Sequence, residues 1–116
     1  MNNYLLVFLG GGIGSVARYF LSNIFSTIIG IYSIAVINIL GSFFIGALYS
    51  VISQKYSQIS YFLLIGLLGG FTTFSTFSID ILNLASESSQ LALKYLFLSV
   101  GGSLMAAYVG IYMTSR

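Results

Sequence analysis

Between Gly69 and Phe77 the chain reads Gly-Gly-Phe-Thr-Thr-Phe-Ser-Thr-Phe, with two glycines, four hydroxyl side chains and three phenylalanines inside an otherwise apolar stretch. These residue types suit the handling of a small ion rather than covalent chemistry. Hydroxyls donate hydrogen bonds, phenyl ring edges are electropositive, and a helix broken here would strand main-chain carbonyls and amides. A hydroxyl buried without a partner is costly, and adjacent glycines in a helix interior each cost roughly 1 kcal/mol against alanine. The segment is therefore expected to interrupt a helix at the Gly-Gly-Phe-Thr-Thr turn and to present polar groups, as an ion path requires.

Other side chains extend the same chemistry. Asn38 lies in Ile-Asn-Ile-Leu-Gly-Ser-Phe, flanked by aliphatic residues, and offers two donors and an acceptor. At that depth the amide serves either as an interhelical bond or as a transient anion ligand. Phe74 and Phe77 are three apart and share a helical face, with Asp80 a turn further on. Their ring edges are candidates to hold a desolvated anion, helped by the hydroxyls of Ser75 and Thr76; core packing is the plainer reading. Carbonyls stranded near Gly69 to Thr72 would be hard oxygen ligands for a small cation such as sodium if gathered near a two-fold axis. The start of the second half-helix would offer free amides and a positive dipole end. Arg18 either draws anions to an entrance or snorkels to the headgroups.

The elements that must position these residues are helices in a membrane. Of 116 residues, 58% are hydrophobic and only 5% charged, with a mean hydropathy of +1.02, too little polar surface for a soluble domain. Four apolar segments, roughly 4–25, 32–53, 61–85 and 91–113, are each long enough to span a bilayer. The polar joints at 22–27, 54–60 and 86–90 are short and imply antiparallel neighbours. The third segment has length to spare for a central break and is read as half-helices over about 60–69 and 74–86. The expectation is one all-α integral membrane domain over 1–116, with four transmembrane helices and a broken third.

Small residues recur four apart in every segment: Gly10 and Gly14, Ser42 and Gly46, Gly66 and Gly70, then Gly102, Ala106 and Gly110. This spacing predicts close helix packing. Four spans place Lys55 and Arg116 on one side and Arg18 and Lys94 on the other, so the distribution of basic residues sets no orientation. Such a protein can insert both ways and pair with its inverted copy. Four helices hardly enclose a conduction path of their own, which makes at least a dimer the expected functional unit.

Composition also excludes. Without Cys or His there are no disulfides, thiolate metal sites or nucleophile triads, and with two carboxylates an enzyme is not expected. The net charge of +2 is too scattered for a nucleic-acid surface. The run Gly10-Gly11-Gly12-Ile13-Gly14 has neither the strand nor the acidic residue of a dinucleotide loop. A cleaved leader is disfavoured because Met1-Asn2-Asn3 carries no basic side chain.

Three runs carry a resemblance: Gly11-Gly12-Ile13-Gly14-Ser15-Val16-Ala17-Arg18-Tyr19, Asn38-Ile39-Leu40-Gly41-Ser42-Phe43 and Gly69-Gly70-Phe71-Thr72-Thr73-Phe74-Ser75-Thr76-Phe77-Ser78. Together they resemble the signatures of the CrcB/Fluc fluoride channels, over the whole chain and most specifically in the third run. The resemblance implies a dual-topology antiparallel homodimer in the cell membrane that passively exports fluoride through two pores; pairing with a paralogous chain stays open. It implies a structural sodium ion at the dimer centre, held by main-chain carbonyls at positions matching Gly69 and Thr72. It matches Asn38, Phe74 and Phe77 to pore residues, Ser75 and Thr76 to the polar members of the same motif, and Arg18 to a vestibule arginine. Ser103, with Ser99, is a candidate for the polar track on the fourth segment. Asp80 departs from the family's usual glutamate. The alternatives weighed are a small multidrug-type exporter, which needs a carboxylate in a first span where this chain has no acidic residue before Asp80, and a non-transporting membrane subunit.

Overall fold

The computed structural model describes residues 2–52 and 57–115, apart from the side chain of Ser57. Every regular element among them is helical: α1 (Asn3–Ile29), a 3₁₀ turn (Gly30–Tyr32), α2 (Ser33–Ile52), α3 (Ser57–Ser60), a π-helical stretch (Tyr61–Leu68), α4 (Gly69–Phe71), α5 (Phe74–Glu87) and α6 (Ser89–Thr114). Lys55 and Arg116, two of the basic residues in the orientation argument, lie outside the described residues, as does Ser53.

Three helical runs are long and apolar enough to cross a membrane: Asn3–Ile52, Gln58–Glu87 and Ser89–Thr114. The first takes in two of the segments marked off in the sequence. A straight helix of 50 residues would be about 75 Å long, yet the molecule's greatest extent is 47 Å, so the run doubles back. It does so at Gly30, with φ 59° and ψ −121°, a backbone region open to glycine and strained for other residues.

That turn lies beyond the joint expected at 22–27. The hydroxyls of Ser22, Ser26 and Thr27 donate to the carbonyls of Tyr19, Asn23 and Ile24, three residues back, and the helix continues through them. Polar composition was therefore a poor guide to the joint, because short hydroxyl side chains satisfy themselves on their own helix. The last joint contracts to Ser88, whose hydroxyl accepts from the Leu91 amide as the N-cap of α6.

The third segment is broken, but not by its glycines. Gly69 and Gly70 sit in α4, Gly69 with helical φ −63° and ψ −37°. The break falls at Thr72 and Thr73, both extended, with ψ 155° and 124°. The half before it starts at Ser57, runs through the π-helical stretch and ends at Phe71.

The glycines serve packing instead. A Cβ on Gly10 would collide with the Phe62 carbonyl, one on Gly14 with that of Leu67, and one on Gly70 with that of Gly11. Thus α1 lies backbone to backbone on the first half of the broken segment. In the same way α2 lies on α6, where Gly46 abuts the Ala107 carbonyl and Gly110 that of Phe43. Lipid-like surroundings supply little hydrophobic drive between helices, so this close approach is what holds them. The best-buried side chains, including Ile37, Phe77, Leu84 and Tyr95, gather where α2, α5 and α6 meet. Large apolar side chains such as Tyr4, Phe8 and Phe97 face outward.

Candidate ion path at the helix break

The break places side chains from three helices around one cleft of about 280 Å³, lined by Asn38 and Ser42 from α2, Thr72 and Thr73, Phe74 and Phe77 from α5, and Ser99 and Ser103 from α6. Of the residues singled out in the sequence, Asn38, Phe74, Phe77, Thr72 and Ser103 therefore come together.

Asn38 is engaged with the break itself. Its Nδ2 donates to the Thr73 carbonyl at 2.9 Å and its Oδ1 accepts from the Thr73 amide at 2.8 Å. The carboxamide thus pairs with both the N–H and the C=O of one residue, as a neighbouring strand would, which removes the cost of two stranded backbone groups. One amide N–H remains to donate elsewhere. Thr73 in turn caps α5, its Oγ1 accepting from the Thr76 amide at 3.2 Å.

Ser75 and Thr76 do not line the cleft. Their hydroxyls lie 3.2 and 3.3 Å from Thr73 Oγ1 and buttress the cap. The two phenylalanines also differ: Phe77 is 5% exposed and Phe74 is 76% exposed, with ring centroids 5.4 Å apart.

Arg18 sits against the break rather than in the cleft, its Nε donating to the Gly70 carbonyl at 3.3 Å. Gly69 is exposed on the chain's surface. The Thr73 amide that would ordinarily answer the Gly69 carbonyl is spent on Asn38. That diversion suits the implied sodium ion, since a hard cation is satisfied by carbonyl oxygen. Among the described residues no group of three or more His, Cys, Asp or Glu side chains could hold a metal.

Sequence reasoning missed Tyr95 as a site residue. Fully buried on α6, its ring stacks on Phe77 at 5.7 Å and its hydroxyl donates to Asp80 Oδ2 at 3.0 Å. Asp80 lines a second cleft of about 420 Å³ with Ser33, Asn83 and Glu87, near the Gly30 turn. The line Phe77, Tyr95, Asp80 thus joins the two clefts. A signal for Tyr95 was present, since Tyr95, Ser99 and Ser103 are four apart and share one face of α6.

One contrast separates the cleft's hydroxyls from the others. Ser22, Ser26, Thr27, Ser50, Ser78 and Ser86 all donate back to carbonyls of their own helix. Ser42, Ser99 and Ser103 have no hydrogen-bond partner among the described residues, although Ser99 is only 3% exposed. Their donors are left for whatever occupies the cleft.

A multi-pass helical membrane protein with a polar cleft at a helix break belongs, by class, with the channels and transporters. The family model described as "CrcB-like protein, Camphor Resistance (CrcB)" matches residues 5–111, and the chain belongs to that family. It is 36% identical over 118 residues to a protein of Dichelobacter nodosus, covering 97% of each chain, and 39% identical to one of Gloeothece citriformis, covering 100% of this chain and 99% of the other. A relative from Magnetococcus marinus is 42% identical over 90% of this chain and 91% of its own. All three are named fluoride-specific ion channel FluC.

Proposed function

We propose that this chain is a fluoride-selective channel that passively exports fluoride and so lowers its level in the cytoplasm. It is an ion channel and not an enzyme. The observation that carries the reading beyond the family is the set of hydroxyls, Ser42, Ser99 and Ser103, that do not fold back onto their own helices but line the cleft with Asn38.

Fluoride is small and strongly hydrated, so its passage through apolar surroundings needs donors that replace its water. Asn38 keeps one N–H after pairing with Thr73, and the serines offer one hydroxyl each. Phe77, flanked by Phe74 and Tyr95, offers a ring edge. Ser75 and Thr76 act through the Thr73 cap, holding the start of α5 in place. Arg18 contributes positive charge beside the break. Chloride, larger and less strongly hydrated, gains less from the same donors.

The functional unit in this reading is an antiparallel dimer of four-span chains. It is supported by the reversal at Gly30, which turns the first helical run into two crossings, and by the balance of basic residues. The cleft is open on a single chain and Phe74 is largely exposed beside it, so a second chain is needed to close the path. The pairing is with an inverted copy of the same chain, a paralogue being the other partner to test. A sodium ion held by the Gly69 and Thr72 carbonyls of both copies would neutralise stranded carbonyls at the centre.

The test is fluoride and chloride efflux from liposomes containing only this purified chain. Rapid fluoride release without chloride release is the expected result. No fluoride release from a verified folded dimer would overturn the reading of a self-sufficient channel.

A further inference from the structure

Gly69 and Gly70 are adjacent in sequence but differently placed. Gly69 is exposed, whereas Gly70 is packed so closely on Gly11 of α1 that an added Cβ would lie 2.6 Å from its carbonyl oxygen. Two side chains of α1 then converge on one atom: Ser15 Oγ donates to the Gly70 carbonyl at 3.4 Å and Arg18 Nε at 3.3 Å. Ser15 and Arg18 are three apart and so lie on the same face of α1.

We infer that Arg18 and Ser15 are positioning residues for the cation site: by occupying the Gly70 carbonyl they keep the break open and leave the flanking Gly69 and Thr72 carbonyls to the ion. This rests on the proposed sodium site and assigns its support to α1. The physical reason is a competition. In an uninterrupted helix the Gly70 carbonyl would accept from the Phe74 amide. Holding it from α1 removes the drive to close that turn, just as Asn38 does by holding the N–H and the C=O of Thr73. If the α1 donors are lost, the stranded carbonyl favours tightening of the turn. Thr72 and Thr73 then move toward helical geometry and the flanking carbonyls shift.

This role makes a prediction opposite in sign to that of a simple charge. If Arg18 acted only through its positive charge, removing it would strengthen the binding of a nearby cation, and Arg18→Lys would change little. If it positions the carbonyls, both Arg18→Met and Arg18→Lys weaken cation binding, because neither supplies an N–H at the ε position that reaches Gly70.

The measurement is the melting temperature of the purified full-length dimer in detergent, titrated with sodium chloride against N-methyl-D-glucamine chloride at constant ionic strength. Both Arg18 variants are expected to need about tenfold more sodium for half-maximal stabilisation, the scale of a lost hydrogen bond to a charged group. Ser15→Ala leaves the charge intact and is the milder variant should the arginine variants fail to fold; about threefold more sodium is expected. An unchanged midpoint in Arg18→Lys, a tighter one in Arg18→Met, or an unchanged one in Ser15→Ala would overturn the inference. A wild-type dimer that melts identically in both salts would overturn the cation site itself, leaving the channel reading to the efflux assay.

Discussion

The side chain of Asn38 and the backbone of Thr73 hold each other by two hydrogen bonds, 2.9 Å to the carbonyl and 2.8 Å from the amide. Of the two roles open to Asn38 in the sequence, the interhelical bond is present, and one N–H of the amide is left over. Asn38→Asp replaces the donating Nδ2 with an oxygen that faces the Thr73 carbonyl. We expect a loss of stability of about 1–3 kcal/mol and abolished fluoride flux, read by chemical unfolding and by liposome efflux. Wild-type flux in Asn38→Asp would contradict the anion-ligand role, and wild-type stability the weight given to the interhelical bond.

Phe77 is buried between Phe74 and Tyr95. Phe77→Ile keeps an apolar side chain but removes the ring edge and the stack on Tyr95. The expected outcome is blocked fluoride efflux with the dimer still assembled on size-exclusion chromatography. Unchanged flux would count against the aromatic-edge role.

Tyr95→Phe keeps the stack on Phe77 and removes only the hydroxyl that donates to Asp80. Fluoride efflux is expected to fall severalfold while the melting temperature moves by only a few degrees, consistent with a loss of roughly 1 kcal/mol. A wild-type rate would show that the junction between the two clefts is structural alone.

The glycines on α1 predict a contrast between neighbours. Gly14→Ala drives a Cβ into the Leu67 carbonyl, whereas a Cβ on Gly12 meets nothing within 4 Å. We expect Gly14→Ala to abolish recovery of folded protein from the membrane and Gly12→Ala to leave recovery and melting near wild type. Equal behaviour of the two would contradict the packing of α1 on the broken segment.

At the turn between α1 and α2, Gly30 has φ 59°. Gly30→Ala forces an L side chain into that region at a cost of about 1–3 kcal/mol, although no atom obstructs the Cβ. The expected readout is a lower melting temperature with fluoride selectivity retained, since Gly30 lies outside the Asn38 cleft.

Much of this protein was legible in its residues. Charge-poor apolar runs leave a chain no choice but helices in a membrane, because backbone polar groups in hydrocarbon must be satisfied within the segment. The spacing of Gly10 and Gly14 against Gly66 and Gly70 marked a close interface, and the run from Gly69 to Phe77 marked the break and the site. Within the expected Gly-Gly-Phe-Thr-Thr turn, however, the break falls on the threonines and not on the glycines. Glycine is costly in a helix, but at Gly70 the neighbouring backbone of Gly11 leaves no room for a side chain. The threonines adopt the extended conformation their β-branched side chains favour, with Asn38 as the partner of Thr73.

What the sequence by itself determined is whatever depends on local composition: the membrane environment, the helical class, the family signatures and the position of the polar segment to within a few residues. What only the tertiary structure decided is which polar groups answer one another. Ser22 and Ser99 are the same residue type in apolar helices, yet Ser22 bonds its own backbone while Ser99 is left to the cleft. Likewise Arg18 and Gly70 are 52 residues apart, as Asn38 and Thr73 are 35 apart. The physical reason is that a hydrogen bond is satisfied by geometry within about 3 Å, and that geometry exists only after the helices have packed.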